Sequence, residues 1–237
     1  MSVHLVGGGW ESSTEVYGSF VIEATARAAA AGRELARIAV VAVRPGDEAE
    51  HAGKLIEALG VAGEFDAHVS AIREGGDLPL TAFSDVDGIV IGGGLTPAYR
   101  VAVEPHAAEI RRQVADGVPY LGFSAGSVIA AERALVGGWR IGGVAVCPED
   151  ASEDLDELTI EQGIGLIDVS IDVHAAQWGT VSRLVAAAEA GLVEGGIAID
   201  EDTVLVIGEG GLVVSGAGSA WSVVPGEAGV LVSTMGA

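Results

Sequence analysis

Residues 120–127 read Tyr-Leu-Gly-Phe-Ser-Ala-Gly-Ser and place Ser124 between Gly122 and Gly126 at the end of an apolar run. An apolar strand, a G-x-S-x-G turn and a following helix together indicate a nucleophile elbow, in which a serine stands on a sharp turn beside small neighbours. The stretch predicts a strand-turn-helix unit of an α/β sheet, with Ser124 as candidate nucleophile. The amide of Ala125 is a candidate oxyanion donor. A glycine turn without chemistry is the alternative.

On both sides of this stretch, apolar runs alternate with helical patterns. Residues 36–43 and 86–94 are apolar runs of the kind that form buried strands. Residues 96–117 predict a helix that starts or kinks near Pro105, and residues 125–138 predict another helix. Continuous apolar strands separated by helices are typical of a parallel sheet covered on both faces. The expected fold is therefore α/β, with three α/β/α layers around a mostly parallel central sheet.

The last part of the chain changes character. Residues 195–235 show short apolar strands separated by glycine turns, a pattern typical of antiparallel hairpins. We expect these C-terminal antiparallel hairpins to close the edge of the central sheet. No shift in composition marks a linker, so residues 1–237 are expected to form a single domain.

Two glycine triplets, residues 7–9 and 92–94, follow apolar strands. Ligands of parallel sheets bind beyond the carboxyl ends of the strands, so both triplets and the Ser124 loop should lie at one end. Gly93 or Gly94 is the candidate second oxyanion donor, because glycine presents its amide without a Cβ. No G-K-[ST] or G-x-G-x-x-G motif follows these strands, which disfavours a phosphate cradle. A turn without function remains the alternative for either glycine.

A serine nucleophile needs a base, and the chain has five histidines. His174 is the candidate, because it ends a strand-like segment and precedes a helical one, as the serine does. His4 is expected in the core, and His68 before the functional end of the sheet. His51 and His106 fall on helical patterns and are expected at the surface.

The carboxylate that would orient this base is left open by the pattern. Asp172 alternates with His174 on the same strand face. A second group of candidates lies between two apolar strands: Asp200, Glu201 and Asp202. Burying a charged side chain costs free energy, so three acidic residues within a buried run indicate a structural or catalytic role. A tight turn would also explain them, because aspartate is common in turns.

The composition limits the partners. The chain carries a net charge of −22 and no cluster of lysine and arginine, which excludes nucleic acid and anionic membranes as expected partners. Lys54, the only lysine, lies in an amphipathic helical pattern and is expected to be solvated. A serine–lysine mechanism is therefore disfavoured.

The cysteine content, the first residues and the lack of ligand motifs indicate a cytoplasmic protein without cofactors. Cys147 is the only cysteine, so no intrachain disulfide can form, and we expect it to be buried or inert. The first residues lack the pattern of a signal peptide, and no apolar run reaches the roughly 18 residues of a membrane span. No metal-ligand motif is visible.

Four segments together resemble the serine peptidase family that contains cyanophycinase and dipeptidase E (aspartyl dipeptidase). They are the glycine loop GGGLT (residues 92–96), the elbow GFSAGS (122–127), the histidine segment (165–187) and the acidic turn GIAIDEDTVLVI (196–207). The resemblance spans most of the chain and is strongest to the cyanophycinase-like branch. It implies a fold like that of class I glutamine amidotransferases, flavodoxin-like, with serine in place of the nucleophilic cysteine. It also implies Ser124 as nucleophile, His174 as base and Glu201 as the orienting carboxylate.

The substrate-binding positions depart from the family pattern. Leu95 stands where the family has a polar residue, and Trp178 stands where it has an arginine. The resemblance makes Leu95, Asp172, Trp178 and the retained Arg183 the candidate substrate-binding residues. Because polar binding residues are lost, we expect altered specificity and a less charged pocket, with Trp178 at its rim.

The leading functional hypothesis is a serine hydrolase that cleaves a peptide or amide bond of a small substrate through a Ser-His-Glu triad and an acyl-enzyme. The departures favour a first alternative, a non-catalytic protein that binds a small molecule or peptide on the same scaffold. An acyl or amido transferase, in which an amine replaces water, is the second alternative. Formation of a homodimer is left open, because no surface stripe indicates one.

Overall fold

The computed structural model describes residues 2–10 and 13–236. The strands, in chain order, are β1 (Val3–Val6), β2 (Ala36–Arg44), β3 (Phe65–Arg73), β4 (Gly88–Ile91), β5 (Tyr120–Phe123), β6 (Arg133–Gly137), β7 (Arg140–Ile141), β8 (Val144–Ala145), β9 (Thr159–Gln162), β10 (Ser170–Val173), β11 (Gly196–Ile199), β12 (Thr203–Gly208), β13 (Gly211–Gly216), β14 (Ser219–Gly226) and β15 (Gly229–Gly236).

The helices are α1 (Thr14–Ala30), α2 (Glu48–Gly60), α3 (Thr96–Val103), α4 (Ala107–Ala115), α5 (Ala125–Val128) and α6 (Val181–Glu189), with 3-10 turns at Glu104–His106 and Glu149–Ala151. The break between α3 and α4 lies at Pro105, as predicted, because proline has no N–H for a continuous helix. No helix in the described part of the chain is both long and apolar enough to cross a bilayer.

The central sheet has seven strands in the order β13-β12-β1-β5-β4-β2-β3. Its five strands from β1 to β3 in this order run parallel, and β12 and β13 add an antiparallel hairpin beside β1. Side chains of β2 alternate between two separate cores: Ile38 and Val40 pack on the α1–α2 side, and Ala39 and Val41 on the α3–α4 side. The predicted three-layer α/β architecture is confirmed.

The rest of the C-terminal region departs from the expectation. Strands β10, β11, β14 and β15 form a second sheet, in which β10 and β11 are parallel and the others antiparallel. Among the C-terminal strands that the structure describes, only β12 and β13 extend the central sheet. Helix α6 covers the second sheet through its own small apolar core, which includes Leu184 and Ala187. The strand patterns were thus correct, but their assignment to one sheet was wrong.

The predicted helix over residues 125–138 is also wrong. Helix α5 ends at Val128 after one turn, and residues 133–137 form β6, which pairs with β9. A short apolar run fits a buried strand as well as a buried helix. Pairing with a segment about 25 residues further along the chain decides the outcome here.

The topology brings five loops together. The two glycine triplets and Ser124 follow β1, β4 and β5, which are neighbours in the central sheet. His174 follows β10 and Glu201 lies just beyond β11, the parallel pair of the second sheet. The amide of His174 donates to the carbonyl of Gly7 at 2.9 Å, so the two sheets are joined where their strands end.

Candidate active site

Ser124 has the strained backbone that a nucleophile elbow requires. Its φ of 52° and ψ of −109° lie outside the regions that non-glycine residues normally occupy. A Cβ on Gly122 would lie 2.5 Å from the Gly126 carbonyl group, and a Cβ on Gly126 would lie 2.1 Å from the carbonyl oxygen of Ile91. Both glycines are therefore required by close backbone packing, as predicted. Strain of this kind costs about 1–3 kcal/mol and persists only where the surroundings hold it.

Hydrogen bonds from β1 hold the elbow. The amide of Ser124 donates to the carbonyl of Val6 at 2.9 Å. The buried hydroxyl of Ser127 lies 2.8 Å from the same carbonyl and 2.7 Å from that of Gly122. Because α5 has only one turn, the elbow offers an oxyanion the amide of Ala125 and not a helix dipole.

The structure places His174 beside Ser124. The Nε2 atom of His174 lies 2.8 Å from Oγ of Ser124. The backbone of His174 has a φ of 55°, which turns the chain at the end of β10 and directs the ring at the elbow. Gly8, with a φ of 104°, lies against this ring, and a Cβ there would be 2.1 Å from Cε1 of His174. The first glycine triplet thus makes room for the imidazole.

Of the carboxylates left open by the sequence, Glu201 meets the imidazole. Its Oε1 lies 2.7 Å from Nδ1 of His174, which leaves Nε2 free to accept a proton from Ser124. Asp200 serves the backbone instead: its Oδ1 accepts from Ala176 N at 3.0 Å, and its Oδ2 accepts from Ser219 N at 2.9 Å.

Burial keeps the imidazole neutral. Desolvation lowers the pKa of His174 below its ordinary value, against the raising effect of the hydrogen bond from Nδ1 to Glu201. A neutral imidazole at neutral pH is the form that a general base needs.

The hydrogen bonds of the second glycine triplet distinguish its two candidate oxyanion donors, Gly93 and Gly94. The amide of Gly93 donates to Nε2 of His51 at 3.2 Å, so it is occupied. The amides of Gly94 and Ala125 have no hydrogen-bond partner among residues 2–10 and 13–236. Gly93 contributes by its lack of a side chain, because a Cβ there would lie 2.9 Å from Cβ of Ser124.

A cavity of about 400 Å³ opens above Ser124 and His174. Leu95 and Trp178 line it, as predicted for the pocket and its rim. Six charged side chains also line it: Arg44, Asp47, Lys54, Asp150, Glu153 and Asp154. These charges come from loops and a helix outside the segments that lost arginines, so the loss of arginines does not leave the cavity without charge.

One wall of the cavity is formed by α2, which the sequence analysis did not predict. Asp47, His51 and Lys54 lie at spacings of four and three residues, so one face of the helix presents all three to the cavity. The predicted solvation of Lys54 agrees with its exposed side chain, but His51 was expected at the surface as well, and that prediction was wrong. Lys54 is solvent-accessible at the cavity rim, whereas His51 is buried.

Trp178 covers the candidate base. Its ring stacks on the imidazole of His174, with centroids 4.0 Å apart and planes inclined by 10°. The indole is still 44% exposed, so it stands between the imidazole and solvent. A charged imidazolium would be favoured by the face of an indole ring, which suits a histidine that takes up a proton during a reaction.

Asp172 and Arg183 do not reach the cavity, although both were expected to bind substrate. Both are almost completely buried and form a two-pronged ion pair at 2.7 and 2.9 Å. Arg183 also donates to the carbonyls of Ala151 and Gly138. A buried arginine with these partners holds the loop that carries Asp150, Glu153 and Asp154, and so acts behind the cavity wall.

The remaining histidines lie in other surroundings. His4 is in the core. His68 lies on β3, at the edge of the central sheet, and its ring nitrogens lie within hydrogen-bond distance of Arg37 and of the carbonyl of Thr81. His106 is buried beside Phe83, so its expected place at the surface was wrong. Cys147 is buried, which raises the pKa of its thiol. In the described ranges, no group of three or more His, Cys, Asp or Glu side chains is arranged to hold a metal ion.

Comparison with known proteins adds the family. The sequence model of peptidase family S51 matches residues 63–214, a range that includes Ser124, His174 and Glu201. The fold resembles that of a peptidase from an acI-B1 Actinobacterium, with a TM-score of 0.67, 16% identity, and coverage of 100% of this chain and 96% of that one. It also resembles a protein assigned as peptidase E from Listeria monocytogenes EGD-e, with a TM-score of 0.56 and 14% identity. That match covers 91% of this chain and 98% of the other. No curated protein sequence matches the chain.

Proposed function

The chain belongs to peptidase family S51, the family of cyanophycinase and dipeptidase E, and is a serine-type peptidase; we propose that Ser124, His174 and Glu201 form its catalytic triad. The observation that carries this proposal is the unbroken chain of contacts from Oγ of Ser124 to Nε2 of His174 at 2.8 Å, and from Nδ1 to Oε1 of Glu201 at 2.7 Å. Nucleophile, base and orienting acid are each within hydrogen-bond reach of the next, which is how a triad is recognised on any fold.

Each group has a role in cleavage of a peptide or amide bond. Oγ of Ser124 attacks the carbonyl carbon while His174 takes its proton, and Glu201 stabilises the imidazolium. The free amides of Ala125 and Gly94 donate to the oxyanion of the tetrahedral intermediate. Collapse of that intermediate forms an acyl-enzyme and breaks the C–N bond, as His174 returns the proton to the leaving amine. Water activated by His174 then hydrolyses the ester, so no cofactor enters the reaction.

The charges of the cavity support a substrate that carries a positive charge near the scissile bond. The two cations of the wall are already neutralised, Arg44 by Asp47 at 3.1 Å and Lys54 by Glu50 at 3.0 Å. The opposite wall presents Asp150 and Asp154, neither of which belongs to an ion pair within the described residues. Glu153 lies beside them, but burial raises the pKa of its carboxyl group, which accepts the amide of Thr96 at 2.8 Å. Acidic side chains therefore outnumber the basic ones in the lining, and an excess of one sign of charge in a cleft raises the local concentration of ligands of the opposite sign. The altered specificity is thus a preference for small cationic peptides or amides.

Matched substrates test this preference. A dipeptide amide with lysine next to the scissile bond should be cleaved with a higher kcat/KM than its glutamate counterpart, and the advantage should shrink as salt is added. The double substitution Asp150→Asn with Asp154→Asn should reduce the advantage about tenfold. Asp154 has a φ of 59°, and asparagine accepts this conformation, so the change removes charge with little strain. Equal rates for both substrates in the wild type would contradict the preference.

Covalent labelling tests the nucleophile. A fluorophosphonate probe should modify the folded wild-type protein at Ser124, as located by peptide mapping, because the probe traps activated serines. The His174→Ala variant should label far more slowly, since its serine has no base. Absence of labelling in folded wild type would contradict the proposal and favour a binding protein on the same scaffold.

A further inference from the structure

The first peptide unit of the second glycine triplet is held at both ends. Its carbonyl, on Gly92, accepts the amide of Gly126 at 3.0 Å, which ties the triplet to the elbow. Its N–H, on Gly93, donates to Nε2 of His51 at 3.2 Å. Residues 92–94, here called the oxyanion loop, are thus tied to the elbow on one side and to α2 on the other.

The second peptide unit is held at one end only. The carbonyl of Gly93 accepts the buried hydroxyl of Tyr99 at 3.1 Å. In a trans peptide the C=O and the N–H point in opposite directions, so this bond directs the N–H of Gly94 away from Tyr99. Of the four polar groups in these two peptide units, only the amide of Gly94 is without a partner among the described residues. Gly94 also lines the cavity.

We propose that His51 is a positioning residue: by accepting the Gly93 amide, it holds the oxyanion loop so that the Gly94 amide stays free to bind the oxyanion. This inference rests on the proposed function. Without His51, the Gly93 amide would need another acceptor. The loop could then rotate and misplace the donor beside it. A displacement of about 1 Å in a catalytic group can cost about 100-fold in rate.

The surroundings of His51 suit this role. The ring is buried and meets Trp10 edge-on at 5.3 Å and Phe123 at 6.4 Å, so its orientation is fixed by packing. Burial, with Arg44 and Lys54 nearby and Asp47 opposing them, lowers its pKa to about 4. The imidazole therefore remains a neutral acceptor at neutral pH. A carboxylate in the same place would add negative charge next to the developing oxyanion and oppose it.

Two substitutions separate the acceptor from the packing. His51→Leu fills the space but cannot accept a hydrogen bond, whereas His51→Gln retains an acceptor. On a hydrolysed amide substrate, His51→Leu should lower kcat about 10- to 100-fold and leave KM nearly unchanged, because the lost interaction acts in the transition state. His51→Gln should recover most of kcat. Tyr99→Phe should also lower kcat selectively, because the carbonyl of Gly93 then loses its donor. If His51→Leu does not fold, His51→Phe keeps an aromatic ring without an acceptor nitrogen and should show the same selective loss of kcat.

Amide hydrogen exchange provides a readout that does not depend on turnover. The Gly93 amide should exchange slowly in the wild type and in His51→Gln, and quickly in folded His51→Leu. Wild-type kcat in folded His51→Leu, or equal exchange at Gly93 in all three proteins, would overturn the inference. A wild type without Ser124-dependent turnover would instead overturn the proposed function, and with it this role of His51, even if Gly93 exchange remained slow.

Discussion

Ser124→Ala is expected to lower kcat/KM for amide hydrolysis by about 10⁴- to 10⁶-fold and to abolish labelling by fluorophosphonate. Loss of the nucleophile removes the acyl-enzyme route, and only substrate binding and the oxyanion donors remain to assist attack by water. KM for the residual reaction should change little, because the hydroxyl makes no other contact than the one to His174 among the described residues. Steady-state kinetics with thorough removal of contaminating peptidases would measure the loss.

The control is a serine outside the cavity. Ser84 is exposed on the loop between β3 and β4, and Ser84→Ala should retain wild-type kinetics. The Ser124→Ala protein should fold with a free energy of unfolding close to that of the wild type, because the change removes one hydroxyl and a single hydrogen bond to His174, a loss of about 0.5–1.5 kcal/mol. Retention of more than about one hundredth of wild-type activity in pure Ser124→Ala would exclude the proposed mechanism.

Glu201→Gln is expected to lower kcat by about 10³- to 10⁴-fold, because the neutral amide no longer stabilises the imidazolium and no longer selects the correct tautomer. The pH profile should change as well. The base must be unprotonated, so kcat/KM rises with pH through the pKa of His174, which burial holds below its ordinary value of 6.5. Both effects of Glu201 raise that pKa, and their removal should move the acid limb of the profile to still lower pH.

Asp200→Asn separates orientation of the base from support of the backbone. Asp200 accepts hydrogen bonds from two backbone amides and from Nε1 of Trp221. Its replacement should lower the free energy of unfolding, by about 1–3 kcal/mol, while kcat of the folded protein changes far less than in Glu201→Gln. A larger loss of kcat in Asp200→Asn than in Glu201→Gln would mean that Asp200, and not Glu201, orients the imidazole of His174.

The nucleophile elbow and the parallel sheet could be predicted from the sequence, because both leave patterns within short segments of the chain. The elbow needs small residues at Gly122 and Gly126, and the motif shows both within two residues of Ser124, although the atom that excludes a side chain at Gly126 is the carbonyl oxygen of Ile91 on β4. The apolar runs of β2 and β4 indicated a covered parallel sheet by the same logic, since strands buried on both faces have no polar side. The strand-end position of His174 followed from its own segment.

Contacts between segments that lie far apart in the chain could not be predicted from the sequence. Residues 133–137 form a strand because β9 offers a partner, and the apolar pattern alone fits a helix as well. Arg183 was predicted to bind substrate, but its ion pair with Asp172 shows that it lies behind the cavity wall. His51 looked like a surface residue because nothing near it in the chain reveals that Trp10 and Phe123 enclose it.

The sequence by itself determined the strained serine, the layered α/β sheet and the set of residues from which a triad can be drawn, because each depends on short-range sterics and burial. Only the tertiary structure decided that Glu201 rather than Asp200 meets His174, that Gly94 rather than Gly93 has a free amide, and that six charges surround the cavity. Those outcomes depend on distances of a few ångströms between chain segments that lie tens of residues apart, and a linear pattern carries no information about such distances.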